Sequence, residues 1–348
     1  MIRLVDTAAR HADVALAVES GVRDVLRSGR YVGGPVVAEV EAVAARLFGR
    51  AHGVGVNSGT DALMLALQAL GVGPGDEVIV PAISFFATTE AVLAVGADPV
   101  FVDVRDDACL DPDLALHART ERTRALIAVH LFGTLCEAPD LGVPVLDDAA
   151  QAVGGAPPRV RGVLTAVSTY PTKTWGAAGD GGFVLGDDPE LLERVRLLGS
   201  HGMRAPHLHE RIMGAIARNS RLDAVQAAVL LAHAPRVEAR VARRRAIARR
   251  YDAELSPAFA RLPRDAGSPI GVYAVRCSRR DDARARLAEQ GIETSVYYPR
   301  PMGNQPAVAH TAPCPNAERL CGELLALPAH EGLSDAQVDH VLSACGFA

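Results

Sequence analysis

The chain has 348 residues, of which 49% are hydrophobic and 22% charged, with a formal net charge of −5. That composition builds a sizeable core, in one large domain or a large domain with a smaller one attached, and excludes an overall disordered chain. The negative balance, with no basic stripe, argues against a nucleic-acid partner.

The first residues, "MIRLVDTAARHADVAL", lack the basic start and apolar run of a signal peptide. No uncharged apolar run approaches the roughly 18 residues of a membrane helix, so no membrane association is expected. The six cysteines are scattered, form no CxxC pair and show no metal spacing. They read as free thiols in a reducing, cytoplasmic setting. Of the 36 basic residues one is Lys173 and the other 35 are Arg.

From Val54 to about Gly186, short apolar runs ("VGV", "EVIVP", "DPVFVDV", "RALIAVH", "VPVLDD") alternate with helical stretches such as "TDALMLALQALG". This predicts an α/β large domain with a mostly parallel sheet flanked by helices on both faces. Ligands of such sheets sit beyond the carboxyl ends of the strands, so the residues after each apolar run matter most. The segment 219–255 is helical by pattern and links to a small α+β domain. That domain comprises "IGVYAVRC", a helical "DDARARLAEQG", a strand-like "IETSVYYP", and helices near 315–324 and 334–345. The division falls at 1–235 and 236–348.

Three strand ends carry chemistry. After "VGV", Asn57-Ser58-Gly59-Thr60 opens an amphipathic helix, where free backbone N–H groups and hydroxyls suit a phosphate; an ordinary N-cap is the alternative. Asp147 and Asp148 close "VPVLDD", placed for a cofactor or metal, or for a turn or cap. Lys173 follows the strand-like "VLTAVST" in "YPTKTWGAAGDGG". A lysine can shed its proton and act as a nucleophilic amine, whereas arginine stays protonated, so Schiff-base chemistry needs Lys. In a chain that uses Arg everywhere else, covalent chemistry explains the single Lys better than a surface charge does. "GAAGDGG" lacks GxGxxG spacing and precedes a strand-like "GFVLGDD", so it reads as a bend or hairpin; a nicotinamide oxidoreductase has no other support. A phosphate cradle, a strand-end carboxylate and a lysine together match the needs of pyridoxal 5′-phosphate (PLP).

The chain resembles the DegT/StrS-type sugar aminotransferases of PLP fold-type I. The matching stretches include "SGRYVGGP" (28–35), "VNSGTDAL" (56–63), "GPGDEVIVP" (73–81), "VHLFG" (129–133), "DDAAQA" (147–152), "YPTK" (170–173), "GDGG" (179–182), "HGM" (201–203) and "NSRLDAVQAA" (219–228). The resemblance implies an aminotransferase that moves an amino group from glutamate or glutamine to a keto-sugar, keto-cyclitol or related ketone, in amino-sugar or antibiotic biosynthesis. It implies that Lys173 bonds covalently to the cofactor aldehyde and that Asp148 pairs with the ring nitrogen, with Gln151 near the ring hydroxyl. Gly59, Thr60 and Ser168 would bind the phosphate, and Phe85 would stack on the ring. Asn219 would reach the phosphate of a neighbouring subunit's cofactor, which implies a homodimer with shared sites. His130, His201, Tyr297 and Tyr298 are candidates for lining the substrate side. On the bare sequence Phe85 would be a core aromatic, Asn219 a helix cap and the histidines satisfied structural groups.

The chain departs from the family pattern at Thr174, where Asn is common, and at Tyr297 and Gly303, where histidines are frequent. The connections after "HLFG" and through "GGAPPRVRGVLTAVS" are short. A dehydratase or other lyase of the same family is the rival reading. Lys173 argues against the sugar-dehydratase branch, where His replaces it. A non-catalytic homologue is a further alternative.

Overall fold

A computed structural model of the chain describes residues 1–154, 162–308 and 312–346. Residues 155–161, part of the short "GGAPPRVRGVLTAVS" connection, lie outside the described residues.

The N-terminal helices are α1 (Thr7–Ala12), α2 (Ala15–Ser28) and α3 (Pro35–Leu47). The alternating region then forms β1 (His52–Val56), α4 (Gly59–Ala69), β2 (Glu77–Pro81), α5 (Ala87–Ala94), β3 (Asp98–Val102), α6 (Pro112–Ala118), β4 (Thr123–Val129), β5 (Val145–Asp148), β6 (Leu164–Ser168) and β7 (Gly182–Gly186). These strands build one seven-stranded sheet, ordered β1-β7-β6-β5-β4-β2-β3. All of its pairings are parallel except those of β7, which runs antiparallel to both neighbours. Helices cover both faces, so strands such as β2 and β7 are buried at every residue and read as continuous apolar runs.

The loop between β6 and β7 holds Lys173, and the glycines of "GAAGDGG" bring the chain back as the antiparallel β7. Gly182 needs to be glycine: a Cβ there would lie 2.6 Å from the Ser58 carbonyl carbon. No helix follows, as expected for a bend.

After β7 come α7 (Pro189–Gly199), a hairpin of β8 (Met203–Ala205) and β9 (Leu208–His209), α8 (Ala224–His233) and α9 (Val237–Glu254). The helical reading of 219–255 holds only from Ala224. Asn219 pairs with Ser200 in an isolated bridge, and Asp223, not Asn219, is the N-cap of α8. A 3-10 turn at Ala234–Arg236, containing Pro235, separates α8 from α9, because proline lacks the N–H that a continuous helix requires.

The remainder folds as β10 (Ala260–Arg261), β11 (Tyr273–Arg276), α10 (Arg280–Glu289), α11 (Pro315–Glu323), β12 (Leu324–Leu327) and α12 (Asp335–Ala344), with the strands in an antiparallel sheet. A separate apolar cluster joins Tyr251, Tyr273, Leu287, Leu325 and Val338, and Ile2 reaches it through a bridge to Ile292. Helix α9 spans two cores: Val237 and Val241 pack beside β6 and β7 residues, while Ile247, Ala248 and Tyr251 pack in the second cluster. The strand expected at "IETSVYYP" does not form. Apart from the Ile292 bridge to Ile2, the stretch makes one isolated bridge, from Ser295 to Ala326 on β12. The chain then leaves the sheet edge toward the large cavity, and Pro299 and Pro301 offer no N–H to a ladder. All six cysteines are free and buried. Among the described residues no helix is long and apolar enough to cross a membrane.

Candidate active site

A cavity of about 550 Å³ opens at the carboxyl edge of the large sheet. That is where the strand-end rule places a ligand.

Asp148 is the last residue of β5 and is 7% exposed. Successive strand residues face opposite sides. Asp148 therefore faces the cavity, while Asp147 points to a buried ion pair with Arg50, whose Nη2 lies 3.2 Å from Oδ2. Asp147 is also held by the Gly162 N–H at 2.9 Å, which makes it structural. Asp148 accepts from the Thr88 hydroxyl at 3.1 Å and from the Ala150 N–H at 3.2 Å. Ser84 and Thr88 share a further hydrogen bond of 2.8 Å. Burial pushes the Asp148 carboxyl up. The Ala150 N–H, the Lys173 charge, Thr88 and His130 all oppose that rise.

Lys173 lines the same cavity from the β6–β7 loop. Its N–H closes a turn on the Tyr170 carbonyl at 2.8 Å. Burial lowers its pKa, and the nearby Asp148 carboxylate works against the shift. A cavity lysine depressed in this way is a better nucleophile and a better proton carrier than a solvated one.

Gly59 and Thr60 begin α4 at the cavity wall. The Ser58 side chain caps the helix by accepting from Asp61 N–H at 3.0 Å. A Cβ on Gly59 would sit 2.7 Å from the Ser168 Cβ, so only glycine lets Ser168 approach the helix start this closely. Backbone N–H groups at a helix start together with a serine hydroxyl form a cradle for an anion.

The remaining expected residues divide. Gln151 and Ser168 line the cavity. Gln151 accepts the Phe132 N–H at 2.6 Å through Oε1. Phe85 stands at the mouth, 59% exposed, with its ring 6.1 Å from that of Tyr298. Tyr297 and Tyr298 both line the cavity, their rings 5.6 Å apart. Burial pushes the Tyr298 hydroxyl far up, so it stays protonated. His130 lies on the cavity wall, but its ring is engaged. Nδ1 faces the Cys136 N–H at 3.0 Å and Nε2 lies 3.5 Å from Asp147 Oδ1. Burial tends to lower its pKa, and the bond and charge of Asp147 outweigh that and raise it.

His201 and Asn219 do not line the cavity; both are exposed. The Asn219 side chain accepts from Arg221 Nε at 3.1 Å. Gly303 is also outside the lining. It is buried in a 3-10 turn whose Met302 N–H is fixed to the Ala82 carbonyl. Thr174 is buried and lines the cavity.

The sequence reading missed Thr88, Arg10, Arg244 and Glu331. Thr88 sits four residues after Ser84 and beside Thr89, and carries no distinguishing mark. Arg10 and Glu331 are 321 positions apart, so only the fold brings them together.

The donor set fits PLP: an amine for its aldehyde, a buried carboxylate for its ring nitrogen, and a glycine-dependent cradle for its phosphate. A fold-type I sheet with these three groups at its carboxyl edge defines a PLP enzyme. The family model described as "DegT/DnrJ/EryC1/StrS aminotransferase family" matches residues 16–345. The chain belongs to this family of PLP-dependent aminotransferases. It is 40% identical to a dTDP-3-amino-3,4,6-trideoxy-alpha-D-glucose transaminase of Streptomyces venezuelae, covering 99% of this chain and 95% of the relative. It is 36% identical to a UDP-2-acetamido-2-deoxy-3-oxo-D-glucuronate aminotransferase of Pseudomonas aeruginosa, covering 99% of each. Among solved structures, S. venezuelae DesV in complex with a ketimine intermediate matches with a TM-score of 0.93 at 37% identity, over 100% of this chain and 99% of that one.

Proposed function

We propose that the enzyme transfers the amino group of glutamate or glutamine to a keto-sugar carried on a nucleoside diphosphate. The carrying observation is that Lys173, the only lysine in the chain, shares one cavity with the buried Asp148 and the α4 helix start. The nucleotide-linked substrates in the names of the two relatives support the choice of acceptor.

Bound PLP supplies the electron sink and carries the amino group between the two half-reactions. Lys173 would hold its aldehyde through Nζ. Its Nζ would then move the proton from the donor's Cα, since it is already within reach and burial lowers its pKa. In the return half-reaction Nζ delivers a proton to the acceptor carbon. Asp148, held by Thr88 and Ala150, would keep the ring nitrogen protonated by ion pairing. Gly59, Thr60 and Ser168 would anchor the phosphate, Gln151 would face the ring hydroxyl, and Phe85 would cover the ring. Tyr297 and Tyr298 form the acceptor wall.

The protein works as a homodimer in the cytoplasm, with Asn219 of each subunit reaching the other's cofactor phosphate. The support is that Asn219 is exposed and outside its own cavity, with Met213 and Ile216 exposed nearby. The same reading places the domain boundary at 235/236, at the turn between α8 and α9. A screen of nucleotide-linked keto-sugars, free keto-sugars and keto-cyclitols with glutamate and glutamine, read by mass spectrometry, tests the acceptor. An aminated nucleotide sugar supports the proposal. Amination of the unlinked ketones alone, or a keto product formed without donor, refutes it.

A further inference from the structure

Behind Lys173 lies a buried ion cluster that the mechanism does not use. Arg10 on α1 donates from Nη1 to the carbonyls of Pro171 at 3.0 Å and Lys173 at 2.5 Å. Its Nε pairs with Glu331 Oε1 at 2.5 Å. The other oxygen of Glu331 takes Arg244 Nε at 2.8 Å, and Arg244 Nη1 donates to the carbonyls of Ile270 and Gly271 at 3.0 Å each. Gly271 in turn packs on Gln151, whose carbonyl a Cβ there would overlap. The Arg10 and Arg244 side chains are each 3% exposed and that of Glu331 12%.

We propose that Arg10, clamped by Glu331, is a positioning residue for the Lys173 amine, so that the N-terminal helix forms part of the cofactor site. The loop between Thr169 and Gly181, which are themselves joined by a hydrogen bond of 2.9 Å, lies beyond the β6–β7 register, and Arg10 holds the carbonyl of the very residue that carries the amine. Leu4 and Val5, just before α1, line the same cavity. The guanidinium fork aims N–H groups at a carboxylate and at two carbonyls at once, whereas an ammonium is a single point of charge. Burying two guanidiniums on one carboxylate is a weak source of stability in itself. A displacement of about 1 Å at a reacting group costs on the order of 10²-fold in rate, so a fixed loop has catalytic value.

The proposal rests on Lys173 being the cofactor lysine, and the test separates the two. Arg10→Lys and Arg10→Met are compared with the parent as full-length, PLP-loaded proteins. Borohydride traps the lysine–cofactor link at timed intervals after PLP addition, and peptide mapping reads the pyridoxyl group on Lys173. Steady-state exchange of the amino group between glutamate and labelled 2-oxoglutarate gives kcat and the donor KM, and thermal unfolding is recorded alongside. The expected result is trapping and kcat both reduced about 10-fold or more in each variant, within that 10²-fold scale, with donor KM little changed. Arg10→Lys restores thermal stability toward the parent's while its trapping rate and kcat stay low. Variants that trap and turn over within twofold of the parent, whatever their melting temperatures, make Arg10 a structural tie only and overturn the proposal. If Arg10→Met does not fold, Arg10→Lys carries both readouts alone. A parent with no pyridoxyl on Lys173 overturns the cofactor-lysine reading itself, and the clamp with it.

Discussion

Replacing Glu331 by Gln removes the one carboxylate between Arg10 and Arg244 while keeping the side chain's shape. Burial acts to push the Glu331 carboxyl up, but Arg244 and Arg10 outweigh it and hold it at about 2. The group therefore stabilises the fold fully above its ordinary range, near 4.5, and loses that contribution as pH falls toward 2. A depression of that size corresponds to about 3 kcal/mol at neutral pH, comparable to the roughly 3–5 kcal/mol for breaking a buried pair by removing one partner. Linkage predicts that about 1.4 kcal/mol of it is gone by roughly pH 3.5. The assay is urea unfolding of the cofactor-free protein, followed by the fluorescence of Trp175, the only tryptophan and fully buried against Phe183. Parent and variant share every other acid-labile group, so those losses cancel in the difference. The stability gap should be about 3 kcal/mol at neutral pH and narrow by about 1.4 kcal/mol at acid pH. A gap that stays constant between the two pH values would show that Glu331 is not held ionised by its two arginines.

Asp148→Asn should cut the rate by roughly 10²–10³-fold, the scale of losing one preorganised electrostatic partner, with little change in fold by circular dichroism. Gly59→Ala should weaken PLP binding and cost about 1–3 kcal/mol of stability, because the new methyl meets Ser168 at 2.7 Å; equilibrium titration with PLP reads the first effect and urea unfolding the second. Mixing inactive Lys173→Ala with inactive Asn219→Asp, after subunit exchange, should recover about a quarter of parental activity if sites are shared in a two-fold dimer; no recovery counts against that arrangement.

The sheet and the three strand ends were legible because parallel strands buried on both faces leave continuous apolar runs, and the residues just beyond them are few. Lys173 stood out only because every other basic residue is Arg. Asp148 and Asp147 look alike in sequence; strand alternation separates them once β5 is known. The extended stretch before Tyr297 was read as a strand from its β-branched and aromatic residues. Tertiary context overrode that, since β12 offers it a single bridge before the chain turns to the cavity. Asn219 had the chemistry of a cap, and Asp223 occupies that position instead. Arg10 was one arginine among 35, and its partners come from segments near residues 171 and 331, so no local pattern could reveal it.

The central claim is that Lys173 is the amine on which aminotransfer depends. Its most direct test is a single-turnover experiment with glutamate on the PLP-loaded parent and on Lys173→Ala. Stopped-flow absorbance follows the cofactor's visible band, and mass spectrometry follows 2-oxoglutarate. The account predicts that the parent is yellow, that glutamate bleaches the band, and that one 2-oxoglutarate is released per cofactor bleached. Loss of the lysine should slow that release by about 10²–10⁴-fold, the range for a positioned proton-transfer group. A Lys173→Ala protein that releases 2-oxoglutarate at the parental rate contradicts it.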